Sequence, residues 1–169
     1  MTISIRSAKE SDAASLISHR RALMAETTFM LYEQGELDKT EEDERARIRR
    51  LAARGNSTVL VAEDGQLLVG NLTAVGGEVR RLRHSATLAL GVARSHWGRG
   101  IGSQLLSAAL TWSVGAGLHR LELTVHTSNL QALGLYLRHG FQVEGVRRHS
   151  LLVDGRYVDE YLMSRLGDG

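Results

Sequence analysis

The segment Val92-Ala-Arg-Ser-His-Trp-Gly98-Arg-Gly100-Ile-Gly102-Ser103-Gln-Leu-Leu106 carries glycine at alternate positions between a strand-forming and a helix-forming run. Before it, His84–Ala93 reads as a strand. After it, Arg99–Val114 places Ile101, Leu105, Ala109 and Trp112 on one helical face, and Gly115 and Gly117 end the helix. Glycine lets a backbone turn tightly and approach a ligand with no Cβ in the way. The first turn of a helix leaves amide N–H groups unpaired, and the helix dipole favours an anion there. The geometry suits a pyrophosphate, with Arg99 and Arg94 adding charge. A plain strand–helix turn is the other reading, because Gly-x-Gly-x-Gly alone is a weak signal. Two nucleotide signatures do not fit. A Walker loop needs lysine followed by Ser or Thr after its last glycine, and Ile101-Gly102-Ser103 has none. A dinucleotide fingerprint follows the first strand of its fold and reads Gly-x-Gly-x-x-Gly; this segment comes late and has a different spacing.

The flanking chain supplies the rest of a sheet. Ile3 and Ile5 alternate with polar residues and predict a short strand. Ser11 and Asp12 open a helix with Leu16, Ile17, Arg20 and Leu23 at helical spacing. Residues 25–39 lack a clear period and read as a loop or broken helix. Thr40 is a candidate N-cap. Glu41, Glu42, Asp43 and Glu44 follow it, with Arg45, Arg47, Arg49 and Arg50 later, an order that suits the helix dipole. A solvated surface helix accounts for that charge run. Thr58–Ala62 and Gln66–Val75 flank the hairpin signal Asp64-Gly65, and Gly76-Gly77 marks another turn. Leu118–Val125 reads as a strand. Asn129–Arg138 reads as a helix with Leu130, Leu133 and Leu137 as its apolar stripe and Tyr136 beside it. Strands follow at Gly140–Val146, Leu151–Val153 and Tyr157–Met163, the last two around Asp154-Gly155. The order β-α-α-β-β-β-α-β-α-β-β predicts one mixed α/β sheet. A right-handed crossover makes the strands at 84–93 and 118–125 parallel neighbours.

Composition narrows the class. A chain of 169 residues with 43% hydrophobic and 24% charged residues reads as one globular domain. No apolar run reaches the roughly 18 residues of a membrane span, and MTISIRSAKESD has no secretory apolar stretch. The absence of cysteine excludes disulfides, thiolate metal sites and cysteine nucleophiles. A cytoplasmic protein is the expectation. Residues 79–156 hold ten arginines against Glu122, Glu144 and Asp154, which suggests an anionic ligand there. A solvated arginine-rich surface is the alternative. Nucleic acid is a weaker candidate, because the eight aromatics are not interleaved with the basic residues. His84, His96, His119, His139 and His149 lack metal-ligand spacing, so no metal is expected.

Two segments together resemble the GNAT superfamily of acyl-CoA-dependent N-acetyltransferases. The family pattern Gln/Arg-x-x-Gly-x-Gly/Ala falls on Trp97-Gly98-Arg99-Gly100-Ile101-Gly102, with Trp97 departing at its first position. Asn-x-x-Ala-x-x-x-Tyr-x-x-x-Gly-Phe falls on the stretch from Asn129 through Tyr136 to Gly140-Phe141. The tail Gly145–Met163 looks like the branch of amino-acid, polyamine and ribosomal-protein acetyltransferases. The resemblance implies a single N-acetyltransferase domain over residues 1–169. Its fold is α/β, with two splayed parallel strands in an otherwise antiparallel sheet flanked by helices. It implies acetyl-CoA as co-substrate and a small-molecule or N-terminal amine as acceptor, and it makes a homodimer plausible.

Residue roles follow from the same resemblance. Leu90 and Val92 would pair their backbone with pantetheine. Gly98, Arg99, Gly100, Ile101, Gly102 and Ser103 would hold the pyrophosphate. Asn129 would bond the pantetheine arm, Arg138 would meet the nucleotide phosphates, and Tyr136 would protonate the departing thiolate. The general base stays open. Many family members carry a glutamate on one of the two splayed strands, and His84–Val92 has no carboxylate. On the second strand Glu122, Thr124 and His126 share a face, and a site at the carboxyl ends of the strands favours His126. Glu33 in the 25–39 loop is the rival, and water-mediated proton loss the third option. Acceptor specificity is expected in residues 25–39 and the 147–161 hairpin. There Glu26, Glu33, Glu36, Asp154, Asp159 and Glu160 are either amine-attracting or simply solvated. A non-catalytic acyl-CoA-binding sensor of the same fold and an anion- or nucleic-acid-binding module are the alternative functions.

Overall fold

The computed structural model of the chain describes residues 2–167. Seven strands form one sheet: β1 Ile3–Ser7, β2 Thr58–Asp64, β3 Leu67–Gly76, β4 Ser85–Val92, β5 Arg120–His126, β6 Gln142–Val153 and β7 Arg156–Leu166. The helices are α1 Ala13–Glu26, α2 Glu41–Ala52, α3 Ile101–Gly115 and α4 Leu130–Arg138. The strand order is β1-β2-β3-β4-β5-β7-β6. Every neighbouring pair is antiparallel except β4 and β5, which are parallel and joined through α3.

Two apolar clusters lie on opposite faces of the sheet. The larger joins Leu72, Ala74, Leu88, Leu121, Leu123 and Met163 of the strands to Ile101, Leu105, Leu106 and Ala109 of α3 and Tyr136 of α4. The smaller joins Val59, Val61 and Leu68 to Ala13, Leu16, Ile48 and Leu51 of α1 and α2. Strand alternation sends successive residues to these two faces. Past β4 the α1 face of the sheet is left open, and Thr87, Ala89, Thr124 and Leu162 are exposed there.

Three expectations need correction. The Gly140–Val146 and Leu151–Val153 strands are one element, β6, which stays paired with β7 across register shifts at Val143/Gly145 and Arg147/Leu151. The second shift sets Arg148, His149 and Ser150 against Asp159 alone, and His149 there has a positive φ of 51°. On α4, Leu130 and Leu137 are exposed, and Tyr136 is the buried residue. The helix is short and docks through Ala132, Leu133, Leu135 and Tyr136, so a stripe extended to both ends overshoots the contact. On α2, Thr40 does cap the helix, accepting from the Asp43 N–H. Glu44, however, is not solvated. It is buried between Arg20 of α1 and Arg47, each at 2.9 Å, and Arg47 reaches on to Thr73 of β3.

Candidate active site

The parallel pairing of β4 and β5 is brief. It covers Ser85–Thr87 against Arg120–Glu122, yet β4 runs on to Val92 and β5 to His126. From Leu88 and Leu123 onward the two strands have no ladder between them. Ala93 donates to Val69 and Gly77 to Ser85 across the β3–β4 pair. Backbone alternation therefore turns the N–H and C=O of Leu88, Leu90 and Val92 away from β3 and into this gap. A wedge between two strands, lined on one side by free peptide groups, accepts an extended chain bearing amides.

The gap opens onto the N-terminus of α3. Gly98 and Gly100 have φ of +76° and +75°, and a Cβ at either would meet nothing within 4 Å. Gly100 caps α3, and the first helical bond runs from Gln104 N–H to Gly100 C=O. The amides of Ile101, Gly102 and Ser103 are thus left without helical acceptors. Gly102 has another reason to be glycine: a Cβ there would lie 3.1 Å from Leu135 of α4, so it sets the α3–α4 approach. Trp97 donates its indole N–H to the Val92 carbonyl at 2.8 Å. This closes the loop onto the end of β4 and occupies one lone pair of a carbonyl expected to serve pantetheine. The Arg94 guanidinium lies 5.8 Å from the centre of that indole ring. Arg99 is turned to Asp64 of the β2–β3 hairpin at 3.1 Å, so its charge is already matched there.

The α4 residues divide. The Asn129 carbonyl oxygen caps the helix at Ala132 N–H, which leaves its NH2 uncommitted by the cap. Arg138 is exposed, with its Nη1 only 3.2 Å from where a Cβ on Gly134 would sit; the bare glycine admits the arginine. Tyr136 is buried against Phe141 at a ring-centre distance of 5.8 Å. Burial pushes its hydroxyl up to about 12, so the phenol is protonated throughout the neutral range.

At the carboxyl end of β5, His126 is buried and faces the side of the sheet opposite α3 and α4. The Phe29 ring meets it edge-on at 5.4 Å, which brings the α1–α2 loop over the end of the gap. Burial lowers the His126 pKa, and the charge of Glu160 partly opposes that shift. Glu33 heads an exposed turn, where its N–H donates to the Glu36 carboxylate at 2.7 Å. No hydrogen bond or ion pair joins Glu33 to His126 or Tyr136 among the described residues.

Glu160, one of the acids expected to be either amine-attracting or solvated, is buried, stands opposite His126 in the β5–β7 register, and accepts from Ser150 at 2.8 Å. Only the register reveals that placement. In the same hairpin His149 stacks on Tyr157 at 5.0 Å. Among the described residues no cluster of His, Asp and Glu has metal-binding geometry, and no helix is long and apolar enough to cross a membrane.

Residues 21–141 match the acetyltransferase (GNAT) family. The chain is 33% identical to an L-amino acid N-acetyltransferase of Escherichia coli over 121 residues, which is 69% of this chain and 73% of that protein. It superposes on the crystal structure of a GNAT-family acetyltransferase from Streptococcus pneumoniae with a TM-score of 0.95 and 31% identity, covering 98% of this chain and 99% of that one. An acetyltransferase from Salmonella typhimurium, solved with its cofactor acetyl-CoA, shares the fold at a TM-score of 0.89 and 19% identity, covering 100% and 96% of the two chains.

Proposed function

The chain belongs to the acetyltransferase (GNAT) family and is an acetyl-CoA-dependent N-acetyltransferase; from that premise we propose that it moves the acetyl group to a primary amine by direct attack, as one catalytic domain. The observation that carries this reading is the β4–β5 gap, with unpaired peptide groups on one wall and the free α3 amides at its mouth. Acetyl-CoA supplies an activated thioester there. Backbone groups of Leu90 and Val92 hold the pantetheine arm and polarise the thioester carbonyl. Amides from Gly98 to Ser103 hold the pyrophosphate. The Asn129 NH2 reaches the arm, and Arg138 meets the nucleotide end.

The acceptor approaches from the open face of the sheet, under Phe29 and beside the β6–β7 hairpin. Its nitrogen attacks the carbonyl carbon, the C–S bond breaks, the amine proton passes to His126 and Tyr136 hydrogen-bonds the departing sulfur. A histidine whose pKa is lowered is neutral at pH 7 and ready to accept. The name of the Escherichia coli relative makes free L-amino acids the first acceptors to try. A cytoplasmic location fits a cysteine-free chain that consumes acetyl-CoA.

A thiol-release assay over free amino acids, polyamines and N-terminal peptides tests the activity. Release above the no-amine rate is expected for at least one class; acetyl-CoA binding without any turnover would support the non-catalytic sensor. The base is tested by kcat/KM against pH. His126→Ala should lose rate together with the acidic limb, and Glu33→Gln should keep both. If His126→Ala retains both, the proton leaves through water or through Glu33.

A further inference from the structure

We propose that His139 is a positioning residue that takes up a proton when CoA binds and so turns Ser103 into a donor to the ligand's phosphate, an inference that rests on the acetyl-CoA reading above. His139 follows the last residue of α4. Its Nδ1 lies 2.8 Å from the Leu135 carbonyl, and its Nε2 lies 3.0 Å from the Ser103 hydroxyl. A carbonyl only accepts, so Nδ1 carries the hydrogen. In a neutral ring Nε2 then accepts, and the one Ser103 hydroxyl proton is committed to it.

Ser103 is the third residue of α3, beside the free amides of Ile101 and Gly102. With its proton held by His139, the serine oxygen presents only lone pairs to an incoming phosphate oxygen. Protonation of Nε2 reverses the bond. Nε2–H donates to Oγ, the hydroxyl hydrogen swings to the phosphate, and the imidazolium adds a positive charge beside it. One proton comes from solvent and no covalent bond changes. The Arg165 Nε of β7 lies 3.1 Å from the place of a Cβ on Gly140, the residue after His139. The groups that meet the ring, the Leu135 carbonyl, Ser103 and Ser107, are uncharged, and no carboxylate pairs with it among the described residues. The favourable charge must arrive with the ligand, so proton uptake and binding are coupled. A rival route exists: Ser107 Oγ stands 3.5 Å from Nε2 and could take over as donor with no proton needed.

Calorimetric titration of CoA in HEPES and in Tris, repeated from pH 6.5 to 9, separates the two routes. The wild type should take up a fraction of a proton beyond that seen with His139→Gln. Its Kd for CoA should rise with pH, approaching a limit of about tenfold per unit. His139→Gln offers an N–H that cannot titrate. It should bind with a Kd free of this pH dependence and tighter than that of His139→Ala. Ser103→Ala should bind more weakly and lose the extra uptake. CoA's own phosphate titrates equally in all four proteins and cancels. If wild type and His139→Gln bind CoA with equal proton uptake, the inference is wrong and Ser107 takes the bond. If the wild type does not bind CoA, the acetyl-CoA reading itself falls and takes this inference with it.

Discussion

Tyr136 holds its proton more firmly than a thiolate does, and that sets its role. Its hydroxyl is pushed up to about 12 by burial, whereas an ordinary thiol titrates near roughly 8.5. Full transfer from phenol to sulfur is therefore uphill, so in the proposed mechanism the hydroxyl acts as a hydrogen-bond donor while the C–S bond opens. Tyr136→Phe should lower kcat near the low end of the general-acid range, about 10²-fold, and leave the Kd for acetyl-CoA unchanged. Wild-type turnover would reduce Tyr136 to a packing residue. A second expectation concerns the buried histidines. Burial lowers the pKa of both His19 and His126, so below about pH 6.5 the unfolded chain binds protons that the native state refuses. Their contribution to stability is complete above that pH and is lost as pH falls through it. Urea midpoints should drop between pH 7.5 and 5.5. His19→Leu should narrow the drop, in a window above the range where the carboxylates titrate.

At the scale of elements, α3 and its entry loop hold two glycines with different duties. Gly100 is in the left-handed region with open space beside it. A valine there is strained by about 1–2 kcal/mol, and its side chain stands in the open space of the proposed pyrophosphate site. Gly102 instead touches Leu135. Gly100→Val should fold, as circular dichroism will report, yet lose the thermal shift given by acetyl-CoA; an unchanged shift would remove the phosphate-loop assignment. The alternate glycines and the strand–helix switch around them were legible from residue order, because turn chemistry is local. So was the Thr40 cap, a contact spanning three residues. Leu130 and Leu137 were misread because periodicity cannot see how few residues of a short helix meet the sheet. Glu160 was legible as a candidate acid, but its place opposite His126 and the His139–Ser103 bond were not, because each depends on a pairing between elements far apart in the chain. Glu44 was hidden for the same reason: its partner Arg20 lies on another helix.

For the whole molecule, the buried Glu44 ion-pair cluster and the proposed CoA-holding groups lie on opposite faces of one sheet. Glu44 is 1% exposed and holds both Arg20 and Arg47, tying α1 to α2 and, through Thr73, to β3. The groups proposed to hold CoA lie with α3 and α4. Removing one partner of a buried ion pair leaves charge unmatched and costs about 3–5 kcal/mol. Here Glu44→Gln leaves two guanidinium groups facing each other, and one Arg20 nitrogen is already enclosed without a partner. The variant should therefore melt well below the wild type. Acetyl-CoA at a hundredfold excess over Kd adds about 2.7 kcal/mol to any folded state that binds it. Sites that share no partners act additively, so that increment should be the same in Glu44→Gln as in the wild type. α1 packs directly onto β4, where a Cβ on Gly91 would clash with Leu23. A smaller increment in Glu44→Gln would show that the ion-pair cluster reaches the cleft through that contact. Melting both proteins with and without one fixed acetyl-CoA concentration, a hundredfold excess over the wild-type Kd, distinguishes the two cases.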